Sequence, residues 1–404
     1  MGSDRRILLA DADAFYVSVA RLADPEGAGR VPLLIVGGSA ERRGVVTSAS
    51  YEARAFGVRS AMPMARATRL CPEAMIVPVP WDLCVEKSRA VHAVLERWAP
   101  VVEQASSDEF YLELSGTEKL YAEPLAETAR KIRAAVHEAT ALWVSIGGGT
   151  SKLVAKLAAG AAKPTPTTPA TGVYVVPPGA ELAFMQRFAL ADLPFVGPRF
   201  QERLQQLGWR TVTDVVPRER AELVARLGER EGEWLWERVR GIDESPVEAW
   251  SEPKSLSRDT TFPKDLESDD DLARELLALV DVATSDLRAD GLVARTVSVR
   301  LRDADFTNRQ ASRTLAEPVC TDRAVYAVAR ELLARLRAAR RTPARLIGVA
   351  LSQLSRPKDE LQLALLEAEA SSGAETGRDR SLAKAIDAVR NRFGPDALGR
   401  ARTR

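Results

Sequence analysis

Three acidic residues lie where a buried chain would not ordinarily place them. Asp11 ends the apolar strand predicted over "RILLADA", while Asp108 and Glu109 interrupt the alternating segment "VVEQASSDEFYLEL" at 101–114. An ionised carboxylate at a buried strand end is costly unless it is paired, capped or bound to a metal. Neighbouring side chains on a strand face opposite sides, so Asp108 and Glu109 can serve one site only where the strand bends or ends. Together the three acids would suit Mg²⁺, a hard cation that prefers carboxylate oxygen.

Each acid also has an ordinary structural explanation. Asp13 precedes "AFYVSVA" and is better placed to cap the following helix than to bind a metal. Asp11 alone would merely end a strand, and an isolated Asp-Glu pair is most often a solvated turn. Taken singly, these residues leave both explanations open.

A second group of residues is suited to holding phosphate. In "TSASYEARAFGVRSAMP", Tyr51 and Arg54 are three positions apart and share one face if the segment is helical. A phenol and a guanidinium there would suit a polyphosphate, although a surface helix ending at Gly57 explains the same residues. Lys163 ends an Ala-rich helix, where a lysine also complements the helix dipole.

Composition narrows the classes of protein to consider. The 404 residues are 46% hydrophobic and 28% charged, which is typical of a soluble protein of two to four domains. The 57 Lys and Arg nearly balance the 56 Asp and Glu, so any basic surface for an acidic polymer must be local. The three cysteines have no zinc or disulfide spacing. No apolar run reaches about 18 residues, and we expect a cytoplasmic protein with no membrane partner.

The apolar pattern indicates two mixed regions separated by a helical one. Strands alternate with helices over roughly 1–170, which indicates an α+β domain ending in the proline-rich "KPTPTTPATG". Residues 190–242 are predicted to be all-helical. From Lys254 the order is strand, helix, strand, strand, helix, strand, as in the ferredoxin-like split unit. A basic amphipathic helix, "RSLAKAIDAVRNRFG", follows a polar spacer near the C-terminus.

Five ordered segments resemble the motifs of a known family. The segments "ADADAFYVSV", "RRGVVTSASYEARAFGVRSAMP", "SSDEFYLEL", "SIGGGTSKLVAKLAAGAAKP" and "LPFVGPRFQERLQQLG" are similar to those of Y-family translesion DNA polymerases, most of all the DinB-type branch. The resemblance covers about residues 5–355, and five motifs in order are far more specific than any one. It implies a template-dependent, low-fidelity DNA polymerase that acts in DNA repair and damage tolerance.

The resemblance also implies an α+β, right-hand architecture. Its parts are a ferredoxin-like palm, small fingers, a helical thumb with a helix-hairpin-helix, and a βαββαβ little finger. The predicted boundaries are palm 1–13 and 80–170, fingers 14–79, thumb 171–242, linker 243–253, little finger 254–356 and tail 357–404.

In this family, catalysis is a two-metal phosphoryl transfer. By resemblance, Asp11, Asp108 and Glu109 are the catalytic residues and, with the carbonyl of Ala12, the ligands of two Mg²⁺ ions, for which Mn²⁺ can substitute. One ion would lower the pKa of the primer 3′-hydroxyl and the other would neutralise the triphosphate and the leaving pyrophosphate.

The same resemblance assigns contacts to the incoming dNTP. Tyr16 matches the steric gate, the aromatic side chain that lies under the sugar and clashes with a 2′-hydroxyl. Ser48 stands where the family usually has Thr. The full set of nucleotide-binding residues expected is Phe15, Tyr16, Ser48, Tyr51, Arg54 and Lys163, with Phe15 the one expected mainly to pack.

Further resemblances concern macromolecular partners. The turn amides around Gly197 in the thumb hairpin would bind the backbone of primer-template DNA without reading bases. Little-finger arginines could do the same or form a solvated sheet face, and they are Arg295, Arg300, Arg302, Arg309 and Arg313. The peptide "QLALL" at 362–366 resembles a sliding-clamp-binding motif, with contacts from Gln362, Leu363, Leu365 and Leu366, although a helix packing on its own domain also fits. We expect a nucleoid-associated monomer.

The chain departs from the family pattern at three places. Phe195 stands where the hairpin turn usually has Gly, Ser107 replaces the usual apolar residue before Asp108, and "KPTPTTPATG" is longer than the usual turn. Two other classes stay open at this point. A non-catalytic clamp-bound adaptor would have lost the acids, and a nucleotide cyclase would lack the thumb, little finger and clamp-like tail.

Overall fold

A computed structural model describes residues 5–163, 171–357, 375–394 and 397–398. The chain forms two compact units: the first runs to Ser251 without 41–43, and the second comprises those three residues and the chain from Glu252. The division falls within the predicted linker, whereas the predicted boundaries inside the first unit stay predictions.

The first unit contains eight strands and twelve α-helices among its described residues, with a 3₁₀ turn at Leu190–Asp192. In chain order they are β1 (Ile7–Ala12), α1 (Phe15–Ala23), β2 (Leu34–Gly37), β3 (Val46–Ala49), α2 (Tyr51–Ala55), α3 (Met64–Leu70), β4 (Met75–Val77), α4 (Trp81–Leu95), β5 (Val101–Gln104), β6 (Glu109–Glu113), α5 (Glu118–Tyr121), α6 (Leu125–Thr140), β7 (Val144–Gly149), α7 (Lys152–Ala162), β8 (Val173–Val175), α8 (Glu181–Met185), α9 (Pro198–Gln206), α10 (Val212–Val215), α11 (Arg220–Leu227) and α12 (Glu229–Arg238).

The main sheet of this unit has the strand order β5-β6-β1-β7-β8, with only the β7–β8 pair parallel. Successive side chains along β1 point to opposite faces of the sheet, so alternate residues contact different helices. Leu8 and Ala10 pack with residues of α4 and α6 on one face, while Ile7 and Leu9 pack with α7 on the other. Helix α7 lies so close to β7 that a Cβ on Gly147 would be 2.0 Å from the backbone nitrogen of Ala159. The glycines of "SIGGGT" therefore allow this helix to pack directly on the sheet.

The segment 101–114 is a hairpin rather than one strand broken near its middle, which corrects the sequence prediction. Strands β5 and β6 pair antiparallel, with Gln104 opposite Phe110. The polar residues between them supply the turn, because the Ser106 hydroxyl accepts from the backbone nitrogens of Asp108 and Glu109 at 3.3 and 3.1 Å. Asp108 consequently lies in the turn, and Glu109 is the first residue of β6.

Two smaller substructures complete the first unit. Strands β3, β2 and β4 form a three-stranded sheet that packs with α2 and α3 around Ile35, Val58 and Met64. The helices from 181 to 238 share a separate core with the start of α7. The prediction that 190–242 is helical is confirmed by the elements described there.

The second unit has the predicted βαββαβ order followed by one more helix. Its elements are β9 (Ser255–Leu266), α13 (Asp269–Ala289), β10 (Val293–Asp303), β11 (Asn308–Val319), α14 (Asp322–Ala339), β12 (Ala344–Ser355) and α15 (Gly377–Phe393). The antiparallel sheet has the order β11-β10-β12-β9, and α13 and α14 cover one face of it. Helix α15 is joined to α13 by the ion pairs Arg288–Asp387 and Arg390–Asp281. Among the helices described, none is long and apolar enough to cross a membrane.

Candidate active site

The fold brings the three predicted acids to one end of the main sheet. Asp11 and Glu109 are directly opposite each other on β1 and β6. Directly opposite residues share a face, so both carboxylates lie on the face covered by α7. The backbone nitrogen of Ala12 donates to the carbonyl of Asp108 at 2.9 Å, which ties the hairpin turn to the end of β1.

Two lysines of the α7 region neutralise these carboxylates. Nζ of Lys163 is 2.6 Å from Oδ1 of Asp11, and Nζ of Lys156 is 2.7 Å from Oε2 of Glu109. Burial raises the pKa of Asp11 to about 6 against the opposing effect of Lys163, and the negative charges of Glu109 and Asp108 raise it further. The buried carboxylate of Asp11 is therefore repelled by both neighbouring acids.

This set of donors fits a hard divalent cation. Within the described part of the chain, no three acidic, His or Cys side chains converge closely enough to form a ready metal cage. The repulsion that Asp11 receives from Glu109 and Asp108 is instead offset by Lys163, and Lys156 pairs with Glu109. Carboxylate oxygens that already need a compensating positive charge are the ligands that Mg²⁺ or Mn²⁺ prefers.

Lys156 is the residue of this cluster that the sequence prediction missed. A signal was present, because Lys156 lies seven residues, or about two helical turns, before Lys163, the C-cap residue of α7. A third lysine, Lys152, lies one turn earlier and pairs with Glu103 of β5 at 2.6 Å.

Asp13 does not cap the following helix, which corrects that prediction. Helix α1 begins after Ala14, whose backbone is left-handed at φ 45°, and no side chain in the described part of the chain caps it. The carboxylate of Asp13 instead accepts from the hydroxyl of Ser145 on β7 at 2.7 Å. Burial raises the pKa of Asp13, opposed by this hydrogen bond and by Lys163.

The predicted phosphate contacts lie within electrostatic range of the acids. The buried Tyr51 hydroxyl has no hydrogen-bond partner within the described residues. Burial raises the pKa of Tyr51 to about 12, with added contributions from Asp13 and Asp11. The guanidinium of Arg54 lies over the Tyr51 ring at 4.9 Å, and its Nε donates to the carbonyl of Ala49. A buried hydroxyl without a partner usually signals a missing ligand or water.

The other predicted nucleotide residues differ in exposure. Ser48 lies on β3 and is 5% exposed. Phe15 is buried in the core of the main sheet, so it packs as expected. Tyr16 is partly exposed, and its ring contacts Phe15 and Trp81 edge-on, with centroid distances of 5.2 and 6.0 Å. Its hydroxyl lies 2.9 Å from the hydroxyl of Ser107 in the acidic turn.

The thumb hairpin has an exposed aromatic residue at its turn. Gly197 is the N-cap of α9, and Phe195 two residues earlier has φ 70° and is 92% exposed. The position thus has the left-handed backbone for which glycine is the usual residue. The replacement of the usual glycine by Phe195 therefore changes the side chain at this position but preserves the backbone of the turn.

Strand register separates the little-finger arginines into two groups. Leu301 and Val297 face the helices, and the residues opposite them on β11 are Arg309 and Arg313. Arg309 accordingly donates to both carboxylate oxygens of buried Asp303, and Arg313 pairs with Glu331 of α14.

The remaining three arginines are more open. Arg300 and Arg302 alternate with Leu301 and so face away from the helices, where they contact Asp259 and Asn308. Arg295 is exposed beside a register shift and donates to carbonyls of β11. The predicted clamp-binding residues Gln362, Leu363, Leu365 and Leu366 lie outside the described residues.

Comparison with known families gives three matches in chain order. The impB/mucB/samB family matches residues 10–160, and the C-terminal domain of that family matches 253–365. A thumb domain described for DNA polymerase-iota matches 191–243.

Curated relatives match over nearly the whole chain. A DNA polymerase IV of Dehalococcoides mccartyi is 35% identical over 401 residues, which cover 99% of this chain and 98% of the relative. A DNA polymerase IV of Halorhodospira halophila is 39% identical over 358 residues, which cover 89% of this chain and 97% of the relative.

Solved structures agree with these matches. An insertion ternary complex of Dbh DNA polymerase has a TM-score of 0.61 at 25% identity, covering 87% of this chain and 100% of that one. DinB from Sulfolobus solfataricus has a TM-score of 0.57 at 26% identity, covering 86% of this chain and 98% of that one. A Dbh–Dpo4 chimera, 24% identical, reaches a TM-score of 0.75 over 87% of this chain and 100% of that one, and supports the fold. The chain therefore belongs to the Y-family DNA polymerases, in the DinB-type branch of template-dependent translesion enzymes.

Proposed function

We propose that nucleotide addition takes place where the end of β1 meets the β5–β6 turn. The observation that carries this proposal is the cross-strand pairing of Asp11 with Glu109, with Asp108 tied to the same point by the Ala12 hydrogen bond. These acids, with the carbonyl of Ala12, would hold two Mg²⁺ ions, for which Mn²⁺ could substitute. When bound, the metals supply activation of the primer 3′-hydroxyl and neutralisation of the triphosphate.

The chain's own donors bind and orient the triphosphate. Arg54 and Lys163 supply positive charge, and the Tyr51 hydroxyl supplies a buried donor that has no partner among the described residues. Ser48 adds a hydroxyl on the neighbouring strand. In this scheme Lys163 exchanges its contact with Asp11 for one with phosphate, because a single ammonium cannot fully neutralise both.

Sugar selection rests on Tyr16 beside the acidic turn. Its ring contacts Phe15 and Trp81 edge-on, and its hydroxyl lies beside the hydroxyl of Ser107, one residue before Asp108. A deoxyribose would pass the ring edge, whereas the additional 2′-hydroxyl of a ribonucleotide would collide with it.

Nonspecific duplex binding is assigned to the thumb turn and the open sheet face. The turn at Gly197 offers backbone amides to a phosphate, and Arg300, Arg302 and Arg295 offer guanidinium groups. Arg309 and Arg313 are left out of this assignment because their guanidinium groups are engaged on the helix side. Sliding-clamp binding through 362–366, a monomeric state and a nucleoid location stay predictions from the sequence.

The test is metal-dependent primer extension by matched acid variants. Glu109→Gln should lower extension by roughly 100-fold, because it removes one of three carboxylates required for metal binding. Glu103→Gln is the matched control, since Glu103 pairs with the same helix one turn away but lies outside the proposed site. Equal loss of extension in both variants would refute the assignment, and so would full extension by Glu109→Gln.

A further inference from the structure

Ser107 makes one side-chain contact that links two parts of the proposed site. Its hydroxyl is 2.9 Å from the Tyr16 hydroxyl, although the two residues are 91 positions apart in the chain. Both side chains are partly buried. The position is one of the three at which the sequence departs from the family pattern, where an apolar residue would leave a tyrosine hydroxyl without this partner.

The Tyr16 side chain packs against two buried clusters of the first unit, and among the described residues its hydroxyl has the hydrogen bond to Ser107. Phe15, which contacts the ring edge-on, is buried, but Trp81, which also contacts it edge-on, is 61% exposed. Edge contacts restrict the ring plane without fixing the outer atom of the ring. The hydrogen bond to Ser107 is therefore the contact best placed to prevent the ring from rocking.

The turn that carries Ser107 is itself held in place. The Ser106 hydroxyl is 2.6 Å from Oδ1 of Asp108 and accepts from the backbone nitrogen of Glu109. The backbone nitrogen of Ala105 donates to the carbonyl of Glu109 at 3.0 Å. Ser107 thus belongs to a fixed segment and can transmit that rigidity to the ring.

We propose that Ser107 is a positioning residue that anchors the Tyr16 ring and thereby sharpens discrimination against ribonucleotides. The inference rests on the proposed role of Tyr16 as the steric gate and extends it. A gate that acts by collision is effective only when it cannot yield, because a mobile ring moves aside for the additional oxygen atom. The hydrogen bond from Ser107 therefore affects the exclusion of ribonucleotides and not the rate of the chemical step.

The test compares kcat/KM for a dNTP and the matching rNTP in single-nucleotide insertion. Ser107→Ala should lower the dNTP-to-rNTP ratio by about three- to tenfold, the size expected for one hydrogen bond between neutral hydroxyls, because kcat/KM for the rNTP rises. Tyr16→Phe should have the same effect, since it removes the other partner. Ser107→Thr keeps a hydroxyl and should restore the ratio.

Two further variants make the outcome decisive. The Tyr16→Phe, Ser107→Ala double variant should match either single variant, because both remove one contact. An unchanged ratio in Ser107→Ala, or additive effects in the double variant, would overturn the inference. A purely structural role would lower both kcat/KM values together and also overturn it.

Tyr16→Ala separates this inference from the proposal on which it rests. If Tyr16→Ala admits ribonucleotides while Ser107→Ala does not, the gate stands and the anchor is refuted. If Tyr16→Ala leaves the ratio unchanged, the gate proposal fails, and the anchor fails with it.

Discussion

At the residue scale, lysines neutralise the negative charge of the candidate site. Lys156 and Lys163 each pair with a carboxylate that is partly or largely removed from water. Such a pair is costly to break by removing one partner, since the other charge is left uncompensated. The same property makes the acids receptive to a metal ion.

Lys156→Met tests this balance directly. The change leaves Glu109 without its ammonium, so we expect Mn²⁺ binding to the free protein to tighten by about three- to tenfold. Thermal stability without metal should fall at the same time. Lys152→Met, which breaks the pair with Glu103, is the matched control and should lower stability without tightening metal binding.

Mn²⁺ binding is measured by electron paramagnetic resonance or calorimetry, with unfolding temperatures recorded in parallel. Weaker binding by Lys156→Met than by wild type would contradict the competition between lysine and metal. Equal tightening in Lys152→Met would show that general charge, and not the pair with Glu109, sets the affinity.

At the scale of elements, the turn before α9 keeps a backbone that favours glycine while carrying phenylalanine. Phe195 has φ 70°, a region in which side chains with a Cβ are strained by about 1–2 kcal/mol. Its side chain is 92% exposed, so few contacts within the first unit offset the strain. The strain is tolerated because the helices around the turn share a buried core that includes Leu190, Val196 and Leu204.

Substitution at Phe195 should separate backbone strain from side-chain packing. We expect Phe195→Val to be less stable than Phe195→Gly by about 1–2 kcal/mol, because a β-branched residue resists positive φ most strongly. Phe195→Gly should equal or exceed wild type in stability. Urea unfolding of the three proteins measures the order, and a more stable valine variant would contradict the left-handed turn.

At the scale of the whole molecule, the two units share no sheet among the described strands: the first has two sheets and the second has one. The second unit is extended by α15, which follows the βαββαβ elements and packs back on them. Glu375, just before this helix, accepts from the backbone nitrogens of Cys320 and Thr321 at 2.9 and 2.6 Å. The C-terminal helix therefore covers the loop that precedes α14.

Deletion of 375–404 should expose Cys320 selectively. Cys320 is 9% exposed in the full chain, and its backbone partner Glu375 would be lost. We expect its reaction with a maleimide to quicken by about tenfold or more, since access and a negative neighbour both limit the thiolate. Cys71 and Cys84 in the first unit are internal controls that should not change. Mass spectrometry follows the labelling of each cysteine. An unchanged labelling rate for Cys320 would contradict the packing of α15 on this unit.

Much of the fold was predictable because it depends on local periodicity. The pattern of apolar residues predicted α6 and α14 nearly to the residue, and it predicted the strand order along the chain in the second unit. The hairpin at 101–114 was missed because two short strands joined by a polar turn have the same alternation as one broken strand. Asp13 was misassigned because a cap and a cross-strand acceptor require the same residue type.

The sequence by itself determined which residue types were available and how they alternate along a strand. Given a strand of period two, Asp11 must share a face with Ile7 and Leu9, and Asp108 and Glu109 could serve one site only where their strand bent or ended. Only the tertiary structure decided their partners. Lys156 reaches Glu109 across 47 residues, Ser107 reaches Tyr16 across 91, and Ser145 reaches Asp13 across 132. These contacts form when the strands pair and α7 packs on the sheet. A local sequence pattern does not specify which strand residues pair, so it could not predict them.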